Sequence, residues 1–172
     1  MSPSASRLDT WRAVVTSQRA LTERAQKALA AADLPPLSWF EILWAVKRSP
    51  TGRPRMSELA EWLTLSRGGI TKLVDRLQDA GYLERVACAE DRRSFQAELT
   101  PAGERMLEEM RAVYAAEVDR HLSALSAEEA KLVRVALEKV TASTCDSATD
   151  DADRNGQPDV SNERRTRARS SP

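Results

Sequence analysis

The sequence predicts a mainly α-helical chain with one small β-hairpin, and three observations carry that expectation. Met56 to Leu63 has Leu59, Trp62 and Leu63 on one helical face, and only about three residues separate it from a second segment with Ile70, Leu73, Val74 and Leu77 at helical spacing. That second segment ends at Ala80-Gly81, and two short runs, Tyr82 to Val86 and Ser94 to Leu99, then flank the charged turn Ala89-Glu90-Asp91-Arg92-Arg93. Long helical seams before and after this unit exceed what it can cover. Helix, short turn, helix and hairpin is the order of parts in a winged helix-turn-helix. The expected fold is therefore a winged helix-turn-helix with long N- and C-terminal dimerisation helices: 1–34 an N-terminal dimerisation helix, 35–100 the DNA-binding region, 101–142 the C-terminal dimerisation helices, and 143–172 a disordered polar tail.

The first helix is expected from about Leu8 to Ala32, with Leu8, Trp11, Val14 or Val15, Leu21, Ala25, Leu29 and Ala32 recurring near heptad spacing. About 25 residues of helix span nearly 40 Å, more than a small domain needs for its own core, so part of this seam faces a partner. Leu37-Ser38-Trp39-Phe40-Glu41-Ile42 marks the next start, with Ser38 and Glu41 as a capping box and Leu37 and Ile42 as its staple. Trp39, Phe40, Ile42, Leu43, Trp44 and Val46 make this helix apolar nearly all round, which implies a sandwiched position. Pro50 and Gly52 end it.

Ser66 opens the fourth helix as N-cap, with Leu65 and Ile70 at staple positions. The face opposite the apolar one carries Arg67, Thr71, Lys72 and Arg76. Gly68 and Gly69 in the first turn cost roughly 1 kcal/mol each against alanine, which packing alone does not favour. Close approach to another surface does, because a bare helix N-terminus presents N–H groups and a positive dipole end to phosphate.

The hairpin is a wing with two arginines at its tip. Thr100 as cap and Pro101 as first residue announce a helix to about Leu125, with Leu107, Met110, Val113 or Tyr114, Val118, Leu122 and Leu125 on a repeating face. Ser126 and Glu129 supply a further capping box for a last helix carrying Leu132, Val133, Ala136, Leu137 and Val140. The seams of the first and last two helices find their natural cover in a second copy, an isologous homodimer. From Thr141 the composition turns polar, as in a disordered tail, and Arg164, Arg165, Arg167 and Arg169 lie there.

Ser57-Glu58-Leu59-Ala60, then Ser66-Arg67-Gly68-Gly69-Ile70-Thr71-Lys72-Leu73-Val74-Asp75-Arg76-Leu77, then Gly81-Tyr82-Leu83-Glu84-Arg85, then Asp91-Arg92-Arg93 and Leu99-Thr100-Pro101-Ala102-Gly103 follow one another in order. With these pieces at this spacing the chain resembles the MarR family of bacterial transcriptional regulators, over about Leu8 to Val140. The resemblance implies a homodimer, a major-groove recognition helix, a wing arginine in the adjacent minor groove, and often a small-molecule effector that releases the DNA. Carried onto this chain, Ser66, Arg67, Gly68, Gly69, Thr71, Lys72 and Arg76 belong to the recognition helix. In the wing, Asp91 holds the turn and is positioned to pair with Arg76, Arg92 lies on phosphate and Arg93 enters the minor groove.

Lysine plus arginine equals aspartate plus glutamate at 26 each, so no overall basic field marks a nucleic-acid partner. Between Lys47 and Arg76, however, seven basic residues stand against three acidic ones, and from Pro101 to Ala142 six stand against eight. No apolar run approaches the ~18 residues of a membrane span, and the N-terminus lacks a signal-peptide core, so no membrane partner and a cytoplasmic location are expected. Cys88 and Cys145 form no CxxC, and His121 is the single histidine, so neither a disulfide framework, a metal site nor a cofactor is expected. Cys88 leaves a redox-responsive regulator as one alternative.

Trp11, Trp39, Trp44, Met110 and Tyr114 are candidates for an effector pocket that takes a small aromatic or phenolic molecule where dimer and DNA-reading parts meet. Arg12 and Arg111 pass the same junction. The function expected is a dimeric, sequence-specific regulator of the repressor type, on a pseudo-palindromic double-stranded DNA operator. A winged-helix module for protein contacts alone is a further alternative, but it leaves the exposed arginines and Lys72 unexplained. No paired-carboxylate, Ser-His-Asp or phosphate-loop arrangement supports an enzyme.

Overall fold

Leu29, Ile42, Leu43, Leu59, Val74, Leu77 and Met110, drawn from five helices, are all withdrawn from solvent and build one core. The computed structural model describes residues 5–88 and 94–154 of the 172, with side chains except for Arg67 and 144–154. The element order is α1 (Ala5–Ala31), α2 (Leu37–Arg48), α3 (Met56–Trp62), α4 (Arg67–Asp79), β1 (Leu83–Ala87), β2 (Phe95–Leu99), α5 (Pro101–Leu122) and α6 (Ala127–Arg154). By compactness the chain divides into Met1–Ser123 and Ala124–Pro172, and each unit is described separately.

In the first unit α2 is the sandwiched helix, touching α1, α3, α4, α5 and β2. Its expected capping box is absent: Pro36 is the N-cap and no side chain caps the helix from that position. The helix starts two residues early because the Leu37 N–H is met from α1 by the Gln26 Oε1 at 3.0 Å, while the Trp39 N–H donates to the Pro36 carbonyl at 2.9 Å. A tertiary acceptor thus replaces the local one. Along α1 only Ala25 and Leu29 are buried, and Leu8, Trp11, Val15 and Leu21 stay exposed.

The helix-turn-helix ends α3 with Thr64 in the left-handed region at φ 52°. Thr64 N–H donates to the Glu61 carbonyl and Leu65 N–H to the Ala60 carbonyl, at 3.1 and 2.9 Å, closing a Schellman motif with threonine where glycine is usual. The end of α4 repeats the motif with the expected glycine. Gly81 has φ 77°, its N–H donates to the Gln78 carbonyl, and Tyr82 N–H donates to the Leu77 carbonyl.

β1 and β2 pair antiparallel from Leu83↔Leu99 to Ala87↔Phe95, turning Leu83 and Ala97 into the core. Pro54 and Arg55 add a short third edge: Ala97 N–H donates to the Pro54 carbonyl at 3.0 Å and Arg55 bridges Gln96. Thr100 then ties the wing to α5, since its Oγ1 donates to the Gly81 carbonyl at 2.7 Å and accepts from Gly103 N–H at 3.0 Å. Gly103 sits directly on the Tyr82 backbone, where a Cβ would lie 2.0 Å from the Tyr82 carbonyl oxygen.

In the second unit, Ser126 and Glu129 form the expected capping box, with Ser126 N–H donating to Glu129 Oε2 at 2.8 Å and Glu129 N–H to Ser126 Oγ at 3.3 Å. α6 runs to Arg154, past the position 143 at which a polar tail was expected to begin. The sequence from Ala127 to Asn155 contains no glycine or proline, so nothing local interrupts the backbone ladder before Gly156. Residues 155–172 lie outside the described residues.

Candidate nucleic-acid interface

The amphipathic division of α4 holds in three dimensions. Ile70, Val74 and Leu77 are buried and Leu73 partly so, while Thr71, Lys72 and Arg76 stand in solvent. Ser66 caps the helix as expected, its Oγ accepting from Gly69 N–H at 3.1 Å. Leu65 remains 38% exposed and contributes little as a staple.

The two glycines separate. A Cβ on Gly69 would come 3.2 Å from the cap oxygen of Ser66, so its smallness is used by the cap. A Cβ on Gly68 would meet nothing within 4 Å. No internal contact requires glycine there, and the exposed first turn is open to an outside surface. The Arg67 side chain and the whole of Asp91, Arg92 and Arg93 lie outside the described residues, as does the expected Asp91–Arg76 pair.

The local basic excess is smaller in space than along the chain. Lys47 pairs with Glu104 at 2.6 Å and Arg53 with Glu98 at 2.8 Å, so acids from α5 and β2 offset two of the seven. Among the described residues Lys72 and Arg76 take part in no ion pair, leaving two full charges on the exposed face of α4. The α4 carboxylate Asp75 turns to the wing strand and meets Arg85 at 2.5 Å. Arg85 is not singled out by its sequence position, and Thr100 only as the cap of α5, without its bond to the Gly81 carbonyl. Both occur inside the motif pieces, but what they touch depends on how α4, the hairpin and α5 are docked.

A groove of about 920 Å³ lies between α2, the end of α3 and the C-terminal half of α5. Trp44 and Tyr114 line it, as expected, together with Phe40, Trp62, Arg48 and Arg111. Phe40 stacks on Tyr114 at 4.7 Å and on Trp44 at 5.9 Å. The guanidinium carbons of Arg48 and Arg111 each stand 5.8 Å from the Trp44 ring centre, so two cations attend one indole ring. Glu41, also on the wall, has its carboxyl pushed above the ordinary carboxylate range by desolvation. The other three expected pocket residues are elsewhere. Met110 is fully buried in the core, Trp39 packs edge-on against Tyr82 at 5.9 Å, and Trp11 is 66% exposed on α1. Spacing put all five near one junction, but each helix turns only part of its circumference toward the groove.

Cys88 is buried beside the wing, where its N–H donates to the Ser94 carbonyl at 3.1 Å. Among the described residues no group of three or more His, Cys, Asp or Glu could hold a metal, and no helix is long and apolar enough to cross a membrane.

Comparison with known proteins supports the same architecture. Residues 32–94 match the model of the MarR family, a span that contains α2, the helix-turn-helix and the first wing strand. The chain is 33% identical over 89 residues to the HTH-type transcriptional regulator MhqR of Bacillus subtilis, a match covering 52% of this chain and 61% of that one. It is 31% identical over 88 residues to the uncharacterized regulator YkoM of the same organism, covering 51% and 57%. The matches thus span about three fifths of these curated relatives. Among solved structures, the MarR-family regulator AbsC of Streptomyces coelicolor superposes with a TM-score of 0.74 at 26% identity, covering 84% of this chain and 97% of its own. Sco3205 of the same organism, solved in complex with DNA, shares the fold at a TM-score of 0.73 and 24% identity, covering 82% and 89%. These relatives are named as transcriptional regulators, and in its helix-turn-helix, wing strands and long flanking helices the chain is similar to the MarR family.

Proposed function

We propose that the chain is a homodimeric, sequence-specific DNA-binding regulator, acting as a repressor that a small aromatic effector releases. The observation that carries the reading is the exposed face of α4: Thr71, Lys72 and Arg76 in solvent, the two cations in no ion pair among the described residues, beside a Gly68 that no internal contact requires. Such a face fits the major groove, with the capped N-terminus toward phosphate. By the family resemblance Arg92 is assigned to phosphate, Arg93 to the minor groove and Asp91 to holding the turn. The DNA-bound state of the neighbour Sco3205 supports this reading.

The test is a gel-shift titration over salt with duplexes from the region upstream of its own gene. A Lys72→Ala chain is expected to bind all sequences more weakly and to lower the salt slope by about 1. Binding that is independent of sequence and of Lys72 would instead favour a protein-contact module.

The effector reading rests on the groove, whose stacked Phe40, Trp44 and Tyr114 suit a flat ring while Arg48 and Arg111 suit an acidic substituent. Aromatic acids are expected to quench tryptophan fluorescence and release DNA in parallel. Quenching without release leaves a pocket but no switch.

A further inference from the structure

Arg85 does not belong to the exposed recognition face, yet it is the side chain that joins the two parts assigned to DNA. It projects from β1, is mostly shielded from solvent, and its terminal nitrogen Nη2 lies 2.5 Å from Asp75 Oδ1 and 3.4 Å from the Thr71 carbonyl, both on α4. Among the described residues its buried Nε has no hydrogen-bond partner. An arginine held with one donor unsatisfied is retained at some cost in stability, which calls for another gain. Asp75 is as unusual. It is a carboxylate next to Arg76 and three residues from Lys72, and an acid there repels phosphate unless its charge is engaged elsewhere.

Resting on the DNA-binding reading above, we propose that Arg85 and Asp75 are a positioning pair that holds wing and recognition helix as one reading head. The backbone supports a mechanical role for this link. Between Asp79 and Leu83 the chain turns through the Gly81 motif, which fixes the end of α4 but lies about one helical turn beyond Asp75. The ion pair adds a second attachment nearer the middle of the helix. Two attachments restrain rotation of α4 against the hairpin, and rotation is the motion that takes base-reading side chains out of register with a wing in the neighbouring groove. The pair therefore serves discrimination between sequences more than attraction to DNA.

This assignment predicts effects of opposite sign on two duplexes. One is the duplex that the wild-type chain selects best from a random library, and the other is an unrelated duplex of equal length. Asp75→Asn removes a negative charge near phosphate, so binding to the unrelated duplex is expected to stay level or tighten. Binding to the selected duplex is expected to weaken about tenfold, because specific binding needs the two readers in register. Arg85→Gln is expected to lower the ratio similarly, and the double variant no further, since both substitutions break one link. Melting of each variant checks folding; if Arg85→Gln unfolds early, Asp75→Asn, at the half-buried end of the pair, carries the test alone. If Asp75→Asn tightens both duplexes alike, or the two losses multiply in the double variant, the positioning role is overturned while DNA binding stands. A wild-type chain with no preference between duplexes overturns the DNA reading itself, and this pair with it.

Discussion

Thr64 and Gly103 occupy positions that the fold constrains in opposite ways. At φ 52° Thr64 holds a conformation in which a β-branched side chain costs about 1–2 kcal/mol. Thr64→Gly is expected to stabilise the chain by up to about 1 kcal/mol, the relief being partly offset by the larger entropy that glycine loses on folding. Denaturant unfolding measures it, and a lower midpoint would show that the threonine side chain contributes more than its strain. Gly103→Ala is expected to do the reverse. Its Cβ would stand 2.0 Å from a backbone oxygen that cannot rotate away, so α5 must shift against the hairpin at a cost of about 1–3 kcal/mol.

At the scale of elements, the groove wall formed by α2 and α5 carries the Glu41 carboxyl, partly desolvated although its residue stays exposed. Desolvation raises the Glu41 pKa above its ordinary 4.5, so the folded chain holds this proton more tightly than the unfolded one. Stability is therefore lost as pH rises from the ordinary value through the raised one, and the full penalty is present at neutral pH. Glu41→Gln is expected to melt higher than wild type at pH 7, with the difference closing well below pH 4.5. A difference independent of pH would mean that the carboxyl is not desolvated. The α6 cap has the opposite sign: hydrogen bonds from Ser126 hold the Glu129 carboxyl below its ordinary range, so its contribution is present at neutral pH and fades on acidification.

For the whole molecule, the apolar side chains left in solvent bear on assembly. Leu8, Trp11 and Val15 are exposed on α1, and Leu132, Val133, Leu137 and Val140 on α6, more apolar surface than isolated residues account for. A second copy is the expected cover. Sedimentation at micromolar concentration is expected to give a dimer, and Trp11→Glu to weaken it roughly tenfold or more, about 1.4 kcal/mol. A monomeric wild-type chain would contradict this.

Elements whose causes are local were legible from the residues alone. The Ser66 cap on Gly69, the Gly81 stop, the Thr100-Pro101 start and the Ser126–Glu129 box each depend on groups within a few positions, and the inward face of α4 follows from a spacing of three and four. What depended on docking was not legible. The Gln26 side chain displaced the Ser38 box at the start of α2; Glu98 and Glu104 neutralised basic residues far away in sequence; and Trp11, Trp39 and Met110 were turned away from a groove that Arg48 and Phe40 enter. Periodicity states which residues share a helical face. Which neighbour that face meets, and with what charge, is decided by contacts between segments tens of residues apart, which only the tertiary structure brings together.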